Sequence, residues 1–243
     1  MVEDTPMKKR ISFLLVFALL LSLCACAGNK PSAHPEGYES YRAVLAKDWD
    51  VALDTLKLAD SVTSHVIGLW NTGITVDYCG VPLNVWLWSN YLTPDWTIFS
   101  GFSYTGTLSS DRHEAAQTIS AIAKQITQEH GPANERAVGE KLSNRFADLT
   151  VEEIEELLEP DKRSDRTIAN PWLLDSLTTP EGKALADWTK ETNPLNLSSN
   201  ANSGFLDHPQ FILYLSVQVN TDGTMLLQMK YGPACYEYES LIP

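Results

Sequence analysis

Residues capable of acid–base, nucleophilic or metal chemistry are present in this chain, but they are scattered. The five histidines, His34, His65, His113, His130 and His208, lie far apart, and only His113 and His130 fall within one expected element. Histidine commonly occupies helix ends and loops, so none is assigned a catalytic or ligand role. Acidic pairs stand at Glu152-Glu153 and Glu155-Glu156. They sit in the first turns of an expected helix, where carboxylates complement the dipole, and read as a solvated face. Gly-x-Ser-x-Gly, Ser-x-x-Lys and His-Glu-x-x-His do not occur, nor do the glycine-rich phosphate cradles Gly-x-x-x-x-Gly-Lys and Gly-x-Gly-x-x-Gly. Asn220-Thr221-Asp222-Gly223 loosely matches a calcium loop, yet Gln218 stands at the first carboxylate position and Met229 at the closing one. A hairpin turn accounts for it better. No catalytic residue, cofactor or metal site is assigned, although a glycosidase with two carboxylates distant in sequence stays open.

One concentration of side chains stands out. Trp86, Trp88, Tyr91, Trp96, Phe99, Phe102 and Tyr104 follow one another closely. On an expected strand over 82–89, Trp86 and Trp88 share one face while Leu83, Val85 and Leu87 take the other, so both faces are apolar. Either helices cover the sheet on both sides, or one face presents aromatics to a ligand such as a sugar ring, a peptide or an apolar molecule. Trp86, Trp88 and Trp96 are the candidate ligand-binding aromatics.

These residues must be positioned by a chain of 243 residues carrying a net charge of −13. Hydrophobic content of 44% against 20% charged residues supports a packed core and excludes a collagenous, coiled-coil or wholly disordered chain. The acidic surface repels phosphate backbones, so nucleic acid is not an expected partner. Met7-Lys8-Lys9-Arg10 is a basic start, and Ile11 to Leu23 is an uncharged, Leu-rich run. That order is a secretory signal. As a helix the run would extend only about 20 Å, short of the roughly 30 Å hydrocarbon core. Met1 to Pro6 read as an extension upstream of an alternative start at Met7.

The run ends in Leu23-Cys24-Ala25-Cys26, which resembles the lipobox of bacterial lipoproteins, with Leu three before and Ala immediately before the modified cysteine. The resemblance covers only the first tenth of the chain. It implies removal of a signal peptide over residues 1–25, lipidation of Cys26 and retention by the membrane on its extracytoplasmic face. Two fatty chains of the palmitate class, at about 0.8 kcal/mol per buried methylene, hold a protein persistently where one binds marginally. Residues 26–37, polar and interrupted by Pro31 and Pro35, then read as a flexible tether reaching at most about 40 Å. With Cys24 removed and Cys26 acylated, Cys79 and Cys235 remain in a non-reducing compartment. They are a possible disulfide, worth about 5 kcal/mol in the chain-entropy model, or two separate buried thiols.

The elements follow from periodicity. Apolar residues at helical spacing predict a helix over 38–60, broken near Asp48, and strands are expected near 62–70, 74–79, 82–89 and 96–108. Asp111 with Glu114 starts, and Gly131-Pro132 ends, a long helix over 111–130. Further helices are expected from Thr150 to Pro160 and from Pro180 to about Lys190, separated by polar loops over 161–170 and 193–204. Alternation from Gln210 to Val219 and from Met225 to Tyr231 predicts a closing hairpin. The fold class is α+β: a mostly antiparallel sheet packed by the 111–130 helix, with 38–243 as a single domain and 135–195 as a rim insertion.

The sequence thus describes an acidic, lipid-anchored protein of the cell envelope, read as a noncatalytic binder or accessory factor. A wall-polysaccharide or peptide hydrolase and an assembly partner using the final hairpin edge are the alternatives. Cys26→Ser is expected to move the protein from the membrane into the soluble or secreted fraction; unchanged membrane retention on fractionation would count against the anchor.

Overall fold

The computed structural model describes residues 32–45, 47–66, 68–89, 99–133, 145–176 and 210–233. Two short helices open it, α1 (Tyr38–Arg42) and α2 (Trp49–Leu56). The break between them falls at Asp48, whose carboxylate accepts the backbone N–H groups of Asp50 and Val51 and so caps α2. Four antiparallel strands follow, β1 (Thr63–Val66), β2 (Leu69–Tyr78), β3 (Val81–Ser89) and β4 (Phe99–Thr107). The expected 62–70 strand is in fact divided, because Gly68 turns the chain with φ of 79°. Conversely, Asn71-Thr72-Gly73 does not end a strand. It forms a register shift inside β2, where Asn71 Oδ1 accepts the Gly73 N–H at 2.7 Å and Thr72 Oγ–H donates to Val85 O at 2.9 Å. Cys79 and Gly80, with φ of 53° and 77°, make the two-residue turn into β3.

The long helix α3 (Arg112–His130) and the short α4 (Val151–Leu157) come next. Asp111 caps α3 through the His113 and Glu114 N–H groups, but the Glu114 carboxylate takes the Ser109 hydroxyl instead of closing a capping box. Around α4 the box is complete, since Thr150 and Glu153 satisfy each other's backbone N–H groups. The helix expected over 180–190 lies outside the described residues.

Strand β5 (Arg166–Ser176) corrects the sequence reading. Residues 161–170 were expected as loop and 135–195 as rim insertion, yet β5 pairs along its length with β6 (Gln210–Val219) as an integral strand. Two features disguise it. Pro171 is tolerated because β5 is an edge strand, and Asn170, fully buried, accepts the Phe146 N–H at 2.6 Å through Oδ1. Strand β7 (Met225–Pro233) completes the hairpin.

All seven strands form one antiparallel sheet in the order β1-β2-β3-β4-β7-β6-β5, which makes the molecule α+β with the sheet predominant. The final hairpin has no free edge, since β7 pairs with β4 and β6 with β5, so the partner contact expected there is not available. Among the described residues the terminal strands of the sheet are β1 and β5.

One sheet face carries the core. Leu83, Val85 and Leu87 of β3, Phe102 and Tyr104 of β4, alternate residues of β6 and β7, and Ile119, Ile122 and Ile126 of α3 form one buried cluster. At its centre the Phe102 and Tyr231 rings stack at 4.9 Å, flanked by Tyr41 at 5.4 Å and Phe211 at 6.2 Å from Phe102. The chain enters this cluster earlier than its composition suggests: Ala33 and His34, assigned by sequence to the tether, are buried, as is Pro35. Among the described residues no helix is long and apolar enough to cross a membrane. Phe102→Ala is expected to lower the unfolding free energy by about 3–5 kcal/mol, read by chemical denaturation.

Candidate functional site

The opposite face of the sheet is where the two expected tryptophans lie. Strand alternation sends Asn84, Trp86 and Trp88 outward, and the pairing register continues their rows across the sheet. Trp86 lies level with Ser103, Lys230 and Tyr214, and Asn84 with Thr105, Gln228 and Ser216. Both indoles are half-buried. Trp86 Nε1–H donates to Thr105 Oγ1 at 2.8 Å and Trp88 Nε1–H to Ser103 Oγ at 3.2 Å, so the rings lean along the sheet with fixed orientation. His65 of β1 stands edge-on to Trp86 at 5.3 Å. The Lys230 ammonium sits 4.4 Å from the centre of the Trp88 ring, a cation–π arrangement.

Trp88, Asn84, Thr105, Gln228, Lys230 and Ser216 are among the residues that line an open hollow of about 990 Å³. Its walls mix hydroxyl and amide groups with apolar surface from Pro82, Ala169 and the exposed Leu226, and Trp88 is the large aromatic surface. The face is not open everywhere: Ile212 and Tyr214 of β6 are buried at 0% and 3% exposure. Asp165 is the acidic residue among the described residues lining the hollow, and its Oδ1 accepts the Thr221 N–H at 2.8 Å. A ring placed here meets an aromatic plane beside several neutral hydrogen-bonding groups and one ammonium. That arrangement can bind and orient.

Other sequence candidates fall elsewhere. Trp96, Cys26 and Cys235 lie outside the described residues. Cys79 is exposed on the β2–β3 turn as a free thiol, its Sγ 3.9 Å from Gln125 Oε1, and burial followed by the nearby Asp77 carboxylate pushes its pKa up. A raised thiol pKa disfavours the nucleophilic thiolate. Of the acidic pairs, Glu153 belongs to the capping box and Glu155 bonds His113 Nδ1 at 2.9 Å, joining α4 to the start of α3 and raising the His113 pKa. Both are structural.

Sequence reasoning missed a second cluster. His34, from the segment read as tether, lies against Glu129 and His130 at the end of α3. His34 Nε2 is 2.9 Å from His130 Nε2 and 3.9 Å from Glu129 Oε1, and His130 Nε2 is 3.5 Å from the same oxygen. His34 Nδ1 meets Tyr231 Oη at 3.0 Å, and its ring stacks on Tyr38 at 3.7 Å. Burial, followed by the His130 and Arg42 charges, lowers the His34 pKa to about 3, so the imidazole is neutral at physiological pH. Nearly a hundred residues separate His34 from its partners, and no local spacing could have joined them.

The chain matches no protein family, no curated protein and no solved structure. Functional inference therefore rests on the chemistry of these two places.

Proposed function

We propose that the protein is a lipid-anchored, noncatalytic binding protein of the extracytoplasmic membrane face that presents the outer face of its sheet to a glycan of the envelope. The carrying observation is the Trp88 ring, half-buried and oriented by Ser103 and Lys230 at the wall of a 990 Å³ hollow. A pyranose offers one apolar face for stacking and a rim of hydroxyls for hydrogen bonding. The hollow offers the matching pair, an indole plane and the polar side chains of Asn84, Thr105, Ser216 and Gln228.

The membrane attachment in this reading is the one implied by Leu23 to Cys26. A hydrolase of the two-carboxylate kind needs carboxyl groups about 5–9.5 Å apart across its cleft. The hollow supplies Asp165 alone among its described lining residues, and that group is engaged with a backbone N–H, which favours binding over hydrolysis.

Titrating the full chain in detergent with wall glycan fragments, followed by calorimetry, tests the reading. Trp88→Ala is expected to weaken binding by about two- to tenfold, since stacking on one aromatic is worth about 0.5–1.5 kcal/mol beyond its area. Equal binding by wild type and a Trp86→Ala, Trp88→Ala double variant that still melts cooperatively would remove the sheet face from the mechanism.

A further inference from the structure

We infer that His34, Glu129 and His130 form a binding site for a divalent transition metal of the zinc class, which fastens the amino-terminal segment to the end of α3. The three ligand atoms, His34 Nε2, His130 Nε2 and Glu129 Oε1, have separations of 2.9, 3.5 and 3.9 Å. The nearest point equidistant from three atoms so placed lies in their plane, about 2.0 Å from each; an ion raised from that plane toward a fourth ligand sits about 2.1–2.2 Å from each, still at the length of zinc–imidazole and zinc–carboxylate bonds. The His34 and His130 rings, with centroids 5.0 Å apart, turn their Nε2 atoms toward one another.

Within the cluster the imidazole pair lies at hydrogen-bond distance, and Glu129 Oε1 lies 3.5 and 3.9 Å from the Nε2 atoms of His130 and His34. The other carboxylate oxygen is held from behind, accepting the Ala33 N–H at 3.4 Å. An outer contact is also in place. Tyr231 Oη, 3.0 Å from His34 Nδ1, can accept its N–H and leave the Nε2 lone pair directed at the ion, the kind of support that metal-bound histidines commonly have.

The donor set selects the metal. Two imidazoles and one carboxylate suit zinc and its neighbours, whereas calcium and magnesium take oxygen ligands. Accessibility is graded across the cluster: the side chain of His34 is 3% exposed, that of His130 14% and that of Glu129 51%. Since the ligands come from residue 34 and residues 129–130, the ion closes a long loop and stabilises only the folded chain.

The full chain, purified in detergent and stripped with a chelator, is to be titrated with zinc alone and, separately, with Co(II). One equivalent of zinc, a rise in the melting temperature and the strong visible bands of tetrahedral Co(II) are expected. Glu129→Gln and His130→Gln alter the less buried ligands and should each weaken zinc by more than the 10–100-fold typical of outer-contact changes, while Tyr231→Phe costs about tenfold. Cys79→Ser should leave the affinity unchanged. Failure of the stripped wild-type chain to bind zinc would overturn the site, as would uptake that survives in the Glu129→Gln, His130→Gln double variant or disappears in Cys79→Ser.

Discussion

Strand geometry allows each residue of a sheet only one of two faces, and this molecule covers one of them far more fully than the other. Leu83, Val85 and Leu87 are completely buried with α3 and the Phe102–Tyr231 stack, while Trp86 and Trp88, their immediate neighbours in the chain, are half-buried on the other side. A shift of one residue in the β3 register would exchange the two sets, placing indoles in the core and Leu and Val in water. Pairing on both sides of β3 opposes such a slip: the β2 register shift is held by Thr72 and Asn71, and on β4 the Phe102, Tyr104 and Phe99 rings admit one depth of insertion. Gly101 contributes as well, because a Cβ there would come within 2.5 Å of Tyr231 O, and only glycine lets β4 and β7 approach as they do. The outer face therefore owes its aromatic character to the same alternation that builds the core.

Much of this was legible because it is local. The α3 stripe of Ile119, Ile122 and Ile126, the caps at Asp111 and Thr150, and the Gly223 turn of the last hairpin are set by residues within a few positions of one another, and the structure has them at those places. The failures are long-range. Strand β5 reads as a loop because its apolar residues alternate with Asn170 and Pro171, whose presence makes sense only given Phe146, from a distant segment, and an edge position in the sheet. The two outer faces of meaning in the aromatic run could not be separated by sequence, since burial of Trp86 and Trp88 depends on what lies above the sheet. Likewise a histidine between Ala33 and Pro35 looks like part of a linker until α3 is folded against it.

Burial of Ala33 and His34 changes what a lipid at Cys26 would do. In the proposed anchored form only Ala27 to Ser32 separate the acylated residue from the folded domain, and that stretch spans at most about 25 Å, against about 40 Å for the tether drawn from composition. The domain would be held near the headgroups by its His34 corner. That corner lies on the helical side, because His34 stacks on Tyr38 and bonds Tyr231, an inner-face residue of β7. The hollow occupies the opposite face.

The two candidate sites share one strand. Tyr231 supports His34 on the inner side of β7, and the next residue toward the amino terminus, Lys230, lies over Trp88 on the outer side. Adjacent residues of a strand point to opposite faces, so a small displacement of β7 alters both contacts together. A metal at His34, Glu129 and His130 would oppose that displacement by fixing the Tyr231 hydroxyl against an immobile imidazole. Lys230 and Tyr231 thus set the ammonium that borders the proposed binding face and the hydroxyl that meets His34 on adjacent residues of one strand.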